Sequence, residues 1–147
     1  MTKNAELLER RKYAVGMGVA SATPIYAEKA LNAELWDVDG NRYIDFAMGM
    51  AVVNTGHCHP KVIEGARAQL EKFTHTAFQV SAYEVYISLA ERLNELAPIN
   101  DGRSVFFSTG AEAIENAVKV ARTSTGRHGV ISLRASYHGR SFLTSTL

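Results

Sequence analysis

The sequence predicts an α/β fold, and three observations carry that expectation. Two strand-like runs, residues 34–38 and 42–46, meet around Asp39-Gly40, a pair that tolerates the positive φ of a tight hairpin turn. Two amphipathic stripes at helical spacing follow, the first through Val62, Ile63, Ala66, Leu70 and Phe73, the second through Tyr86, Leu89, Ala90, Leu93 and Leu96. Finally, two short apolar runs, residues 104–108 and 129–133, flank a helix expected over 110–124, with Ile114, Ala117, Val118 and Ala121 on one face. Strand, helix, strand, with both strands apolar at consecutive positions, reads as a βαβ unit of a buried parallel sheet, whose strands need cover on both faces.

The elements follow in order. Residues 4–14 form a short amphipathic helix with Leu7, Leu8 and Arg11 on one side, broken by Gly16 and Gly18. A loop through Thr23-Pro24-Ile25 leads into the hairpin. Pro60 stands where a first helical residue belongs. Ser81 and Glu84 match a capping box for the next helix, which Pro98 and Gly102 end. The stripes are core packing and are assigned no chemistry.

Composition narrows the function classes. With 147 residues, 46% hydrophobic and 21% charged, the chain is an ordinary globular protein rather than a disordered or fibrous one. Sixteen Lys and Arg against fifteen Asp and Glu leave a net charge of +1, so no global field recruits nucleic acid or an anionic membrane. The basic run Arg10-Arg11-Lys12 reads as a solvated helix end. The longest apolar run, residues 46–53, is far short of the ~20 residues a bilayer requires. No secretory signal is visible at the N-terminus, and the single cysteine, Cys58, suits a reducing cytoplasm, the expected location.

Three segments are candidates for chemistry. Ser108-Thr109-Gly110-Ala111-Glu112 lies at a strand-to-helix junction, where unpartnered N–H groups and the positive end of the helix dipole can hold a phosphate. Thr109 and Glu112 equally fit a capping box, which needs no ligand. It is neither a Walker loop nor the three-glycine dinucleotide fingerprint. Tyr137-His138-Gly139-Arg140 follows the next strand, where ligands collect in open α/β sheets. Its tyrosine can stack on a flat ring and Arg140 can clamp a carboxylate, although an exposed turn explains the segment as well. Together the two segments suit a phosphorylated aromatic cofactor. The third segment, Asn54-Thr55-Gly56-His57-Cys58-His59-Pro60, invites metal or nucleophile readings. Without further ligands at suitable spacing, a loop-to-helix junction is favoured and no metal is expected. His75 and His128 carry no spacing signal.

With these segments in view, the chain resembles the N-terminal part of the class III (ω-type) pyridoxal-phosphate aminotransferases, and within them the 4-aminobutyrate branch. The resemblance runs from end to end. It rests on Trp36-Asp37-Val38-Asp39-Gly40, Tyr43-Ile44-Asp45-Phe46, Asn54-Thr55-Gly56-His57-Cys58-His59-Pro60, His75-Thr76-Ala77-Phe78-Gln79-Val80, Thr109-Gly110-Ala111-Glu112-Ala113, Glu115-Asn116-Ala117 and Tyr137-His138-Gly139-Arg140, in the family's order.

The resemblance implies a fold-type I transferase. Residues 1–50 would contribute a helix and hairpin to the small domain, and residues 51–147 would begin the cofactor-binding large domain with its mostly parallel sheet. It implies pyridoxal 5'-phosphate as cofactor, with Gly110 and Ala111 holding the phosphate through main-chain amides and Tyr137 stacking on the pyridine ring. Arg140 would bind the substrate carboxylate, with Met50 and Gln79 near the active site. Some relatives carry Ser where Ala111 stands. The implied reaction moves the amino group of 4-aminobutyrate to 2-oxoglutarate, the small-molecule partners, in a homodimer or higher oligomer. Acetylornithine, ornithine and other ω-amino-acid aminotransferases are the alternatives.

One departure matters. The family's Schiff-base lysine and the acid opposite the pyridine nitrogen have no counterpart here, because Lys3, Lys12, Lys29, Lys61, Lys72 and Lys119 all lie outside the matching context. A fragment of a longer enzyme, inactive alone, is therefore expected, with a non-catalytic remnant as the other reading.

Overall fold

The computed structural model describes residues 1–147, and the chain divides into two units, Met1–Thr76 and Ala77–Leu147. The first holds helix α1 (Lys3–Ala14), strands β1 (Ala27–Leu31), β2 (Glu34–Asp37) and β3 (Arg42–Ile44), the single turn α2 (Met48–Ala51) and helix α3 (Pro60–Leu70). The second holds α4 (Glu84–Leu96), α5 (Gly110–Thr125) and a 3-10 turn at Thr144–Thr146.

The expected hairpin forms. β2 and β3 are antiparallel with Glu34 opposite Ile44, Leu35 opposite Tyr43 and Trp36 opposite Arg42. Gly40 takes the φ of +86° that the turn demands of a residue without a side chain. The sheet has a third strand that the sequence does not announce: β1 pairs with β2 on its other edge, giving the order β1-β2-β3. The run Ala-Glu-Lys-Ala-Leu carries no β-branched or aromatic residue and favours helix by itself. Pairing with β2 overrides that preference, helped by Asn32, which accepts a φ of +51° in the connecting turn.

Two aspartates tie the hairpin to α1. Asp37 is almost fully buried and accepts hydrogen bonds from the Asn41 amide (2.8 Å), the Asn4 side chain (2.9 Å) and the Tyr43 hydroxyl (2.9 Å). Burial pushes its pKa upward, but the hydrogen bonds from Asn41, Tyr43 and Asn4 together outweigh it and hold the carboxyl well below the usual range. Asp39, in the turn, receives the Lys3 and Asn4 amides at 2.7 and 3.0 Å, so a residue 35 positions away in sequence from Asn4 satisfies the open end of α1.

In the second unit α4 begins at Glu84, but the capping box does not form. Its N-cap is Tyr83, with no side-chain cap, and Ser81 lies two residues before that position. Tyr86 on α4 instead anchors an aromatic cluster. It stacks on Phe78 with ring centroids 4.1 Å apart, meets the edge of Phe106 at 4.6 Å, and accepts the Phe106 N–H at 3.2 Å.

The parallel ladder is a correction. Residues 104–108 and 129–133 form no strand, and the sheet present is antiparallel. A helix closes its hydrogen bonds internally, so α5 forms in full, whereas a parallel strand exists only beside neighbours. Consecutive strands of such sheets need not be adjacent, and within this chain neither run has a partner.

No apolar side chain is fully buried, and Ile131 is 98% exposed. The accessible surface is 12428 Å², whereas a folded monomer of 16.1 kDa exposes roughly 7,400 Å². No helix is long and apolar enough to cross a membrane. Purified alone, the 147-residue chain should bind a hydrophobic dye and melt without a sharp transition. A cooperative calorimetric unfolding peak with no dye binding contradicts this.

Candidate active site

Helix α5 starts from an extended N-cap, Thr109, in a complete capping box. The Thr109 hydroxyl accepts the Glu112 N–H at 3.1 Å, and the Glu112 carboxylate accepts the Thr109 N–H at 2.9 Å. The Ala113 N–H already bonds the Thr109 carbonyl at 3.1 Å. The amides of Gly110 and Ala111 are left without an acceptor in the chain, at the positive end of a 16-residue helix. Capping and anion binding are therefore compatible here: the box rigidifies the turn and leaves two donors open.

Those two residues line a cavity of about 640 Å³ together with Tyr137, His138, Gly139 and Arg140. Contact between the two walls is close. Gly139 has φ +128°, and a Cβ there would lie 2.6 Å from Ala111 Cβ and 2.9 Å from Thr144 Oγ1. No other residue fits. On the far side of Arg140, one oxygen of Glu115 (Oε1) accepts both the Ser141 hydroxyl at 2.7 Å and the Leu143 N–H at 3.0 Å. The Ser141 N–H donates to Thr144 Oγ1 at 3.0 Å, and Thr144 is buried. The Ser141 hydroxyl above all, with the Leu143 and Thr144 amides, holds the Glu115 carboxyl below the usual carboxylate range against the upward push of burial. Before the loop, the Ser136 hydroxyl donates to the Leu133 carbonyl at 2.7 Å and lies 3.0 Å from His138 Nε2. Tyr137 between these anchors remains 76% exposed, its ring accessible to a flat partner.

Of the residues singled out from the sequence, Gly110, Ala111, Tyr137 and Arg140 thus share one cavity. Gln79 is exposed in a turn preceding α4 and is not among the lining residues. Met50 belongs to the first unit, in α2, where Met48, Gly49, Met50 and Ala51 all have positive φ. This turn is left-handed, a conformation that costs roughly 1–2 kcal/mol per non-glycine residue. Asp45 supports it by accepting the Ala47 and Met48 amides at 3.0 and 2.9 Å, while its other oxygen lies 2.7 Å from His57 Nε2. The His57 contact, with those amides, holds the Asp45 carboxyl below its ordinary range. His57 also exchanges both main-chain hydrogen bonds with Asn32. Its ring is committed to Asp45, and no group of three or more His, Cys, Asp or Glu side chains comes together to hold a metal.

Glu115, Ser141 and Thr144 carry the loop and received no role from the sequence. A signal existed for Glu115. It stands three positions before Val118 and four after Ala111, so a half-buried acid borders the face that packs.

Residues 17–146 match the family described as aminotransferase class-III. The chain belongs to the class-III aminotransferases. It is 48% identical over 148 residues to a 4-aminobutyrate aminotransferase of Escherichia coli (strain K12), covering 100% of this chain and 35% of that protein. Over 142 residues it is 51% identical to a 5-aminovalerate aminotransferase of Pseudomonas aeruginosa, covering 96% of this chain and 33% of that one. The solved structure of a taurine:2-oxoglutarate aminotransferase from Bifidobacterium kashiwanohense, in complex with PLP and glutamate, matches 99% of this chain and 33% of its own, with TM-score 0.82 and 31% identity. The chain spans about a third of the length of the curated relatives it matches. Its fold is that of fold-type I aminotransferases, as expected from the sequence, although the ladder seen here is the antiparallel one.

The Glu115 anchor has a defined pH response. A depressed carboxyl stabilises the folded loop at every pH above its unfolded pKa, near 4.5, and this contribution is lost as pH falls through the lower folded value. In the complete polypeptide, hydrogen exchange at Ser141 and Leu143, corrected for intrinsic rates, should stay slow from neutrality down to pH 4.5 and quicken modestly below it, because the protonated carboxyl keeps its carbonyl acceptor. Release well above that pH contradicts the anchor.

Proposed function

We propose that this class-III aminotransferase chain forms the phosphate-binding and carboxylate-binding part of a pyridoxal 5'-phosphate enzyme acting on 4-aminobutyrate and 2-oxoglutarate. One observation carries the proposal: the open Gly110 and Ala111 amides lie in the same cavity as Tyr137 and Arg140.

The residues fit the group. A phosphate dianion suits two convergent main-chain donors at a helix start, and Gly110 has nothing within 4 Å of where a side chain would begin. The exposed Tyr137 ring suits a planar pyridine face. When bound, the cofactor supplies the electron sink that stabilises negative charge on the substrate carbon. The chain's own residues bind and orient. Gly110 and Ala111 neutralise phosphate charge, Tyr137 sets the ring plane, and Arg140 holds the carboxylate of the amino acid by paired charge-assisted hydrogen bonds. Met50 and Gln79 are assigned to the substrate's surroundings by the family resemblance alone, since neither is among the residues lining this cavity. The lysine, the acid for the ring nitrogen and a second carboxylate-binding arginine come from outside these residues. In this reading residues 1–50 serve the small domain and residues 51–147 begin the large one, in a cytoplasmic homodimer.

The 51% identity to a protein named for 5-aminovalerate favours a second reading in which the donor is one methylene longer. Both donors place an amine at one end and a carboxylate at the other, so the site roles are unchanged.

Two measurements test the proposal. Incubated with pyridoxal phosphate, the 147-residue chain should show no transamination, and borohydride should trap no stoichiometric adduct at a single lysine. Turnover by the chain alone refutes this. In the complete polypeptide, Arg140→Ala should lower kcat/KM for 4-aminobutyrate by about 10- to 100-fold, the value of hydrogen bonds to a charged group. An unchanged kcat/KM removes Arg140 from the site.

A further inference from the structure

Arg140 stands between two fixed points. On one side Gly139 is pressed against Ala111, in the first turn of α5, at a distance that admits no Cβ. On the other, Ser141 is bonded through its hydroxyl to Glu115, one turn further along the same helix. The Leu143 amide reaches the same carboxylate oxygen, and Thr144 closes the loop by accepting the Ser141 N–H. The helix that presents the open amides at its start therefore also fixes where the arginine side chain departs from the backbone. The span between the Gly110 and Ala111 amides and the Arg140 backbone is thereby tied to one helix.

We propose that Glu115, acting through Ser141, is the positioning residue that sets this span and so selects the length of the ω-amino acid. The inference rests on the assignment of Arg140 to the substrate carboxylate. The relatives of this chain are named for 4-aminobutyrate and 5-aminovalerate, which differ by one methylene. A site of fixed length separates such a pair by about 10- to 200-fold, and a site whose arginine can shift does not. Glu115 is not among the residues lining the cavity. Its effect is carried by the loop it tethers.

The bonding pattern supplies its own control. Because a single oxygen of Glu115 accepts both hydrogen bonds, Glu115→Gln retains an acceptor with two lone pairs, whereas Glu115→Ala removes it. Ser141→Ala is the milder change, since it leaves the Leu143 bond in place.

The test uses the complete enzyme loaded with pyridoxal phosphate and compares kcat/KM for 4-aminobutyrate and 5-aminovalerate. The wild type should separate them by about 10-fold or more. Glu115→Ala and Ser141→Ala should bring the ratio towards unity, and Glu115→Gln should keep the wild-type ratio. Amide exchange at Leu143, measured without substrate, should quicken strongly in Glu115→Ala and only modestly in Glu115→Gln, which loses the charge but keeps the acceptor. The proposal is overturned if the wild type takes both donors equally, if the alanine variants lose both activities in parallel with the ratio intact, if Glu115→Gln behaves as Glu115→Ala, or if Leu143 exchange does not change. Arg140→Ala is measured alongside. If it spares both donors, the carboxylate assignment falls with the proposal, whereas if it impairs both and the Glu115 variants keep the ratio, only the tether is refuted.

Discussion

A helix cannot satisfy its own first amides, and the second unit of this protein is organised around how α5 meets that constraint. Thr109 and Glu112 satisfy each other across the first turn. Gly110 and Ala111 remain as donors with no acceptor in the chain, in a cavity large enough for a ligand. The remaining features of the site follow from the same helix. Its first turn receives Gly139, and its second turn holds Ser141 and Leu143 through Glu115. Tyr137 and Arg140 are thus placed by the element that carries the anion site.

The first unit applies similar logic to different ends. Its polar groups are satisfied over long sequence distances: Asp39 in a hairpin turn closes the start of α1, and Asp37 gathers donors from α1, from the turn and from β3. Asp45 supports a left-handed turn while contacting His57, whose backbone pairs with Asn32. The fully enclosed side chain of this unit is a carboxylate, Asp37, and no apolar side chain is fully buried.

What was legible in the sequence was what depends on near neighbours. The helix led by Pro60, the α5 capping box and the Asp39-Gly40 turn each involve residues within a few positions, and each forms. The residue types at Gly110, Ala111, Tyr137 and Arg140 pointed to one ligand, and the four line one cavity. Long-range effects were hidden. β1 carries no strand signal of its own and forms by pairing with β2, and Glu115 has no assigned role until a loop 26 residues later bonds to it. Ser81 misled because its spacing to Glu84 suited a cap while Tyr83 takes that place. Residues 104–108 and 129–133 have strand composition, but a parallel strand without neighbours has no hydrogen bonds to make.

Gly139 has one further consequence. The gap between the start of α5 and the loop that carries Arg140 is gauged by the omission of a single carbon atom: with hydrogen in place of methyl, loop and helix come into direct contact. Enlarging position 139 would act as a shim, lifting the loop from the helix and widening the gap for whatever bridges it. The spacing of the two cavity walls is thus encoded in the smallest side chain that lines it.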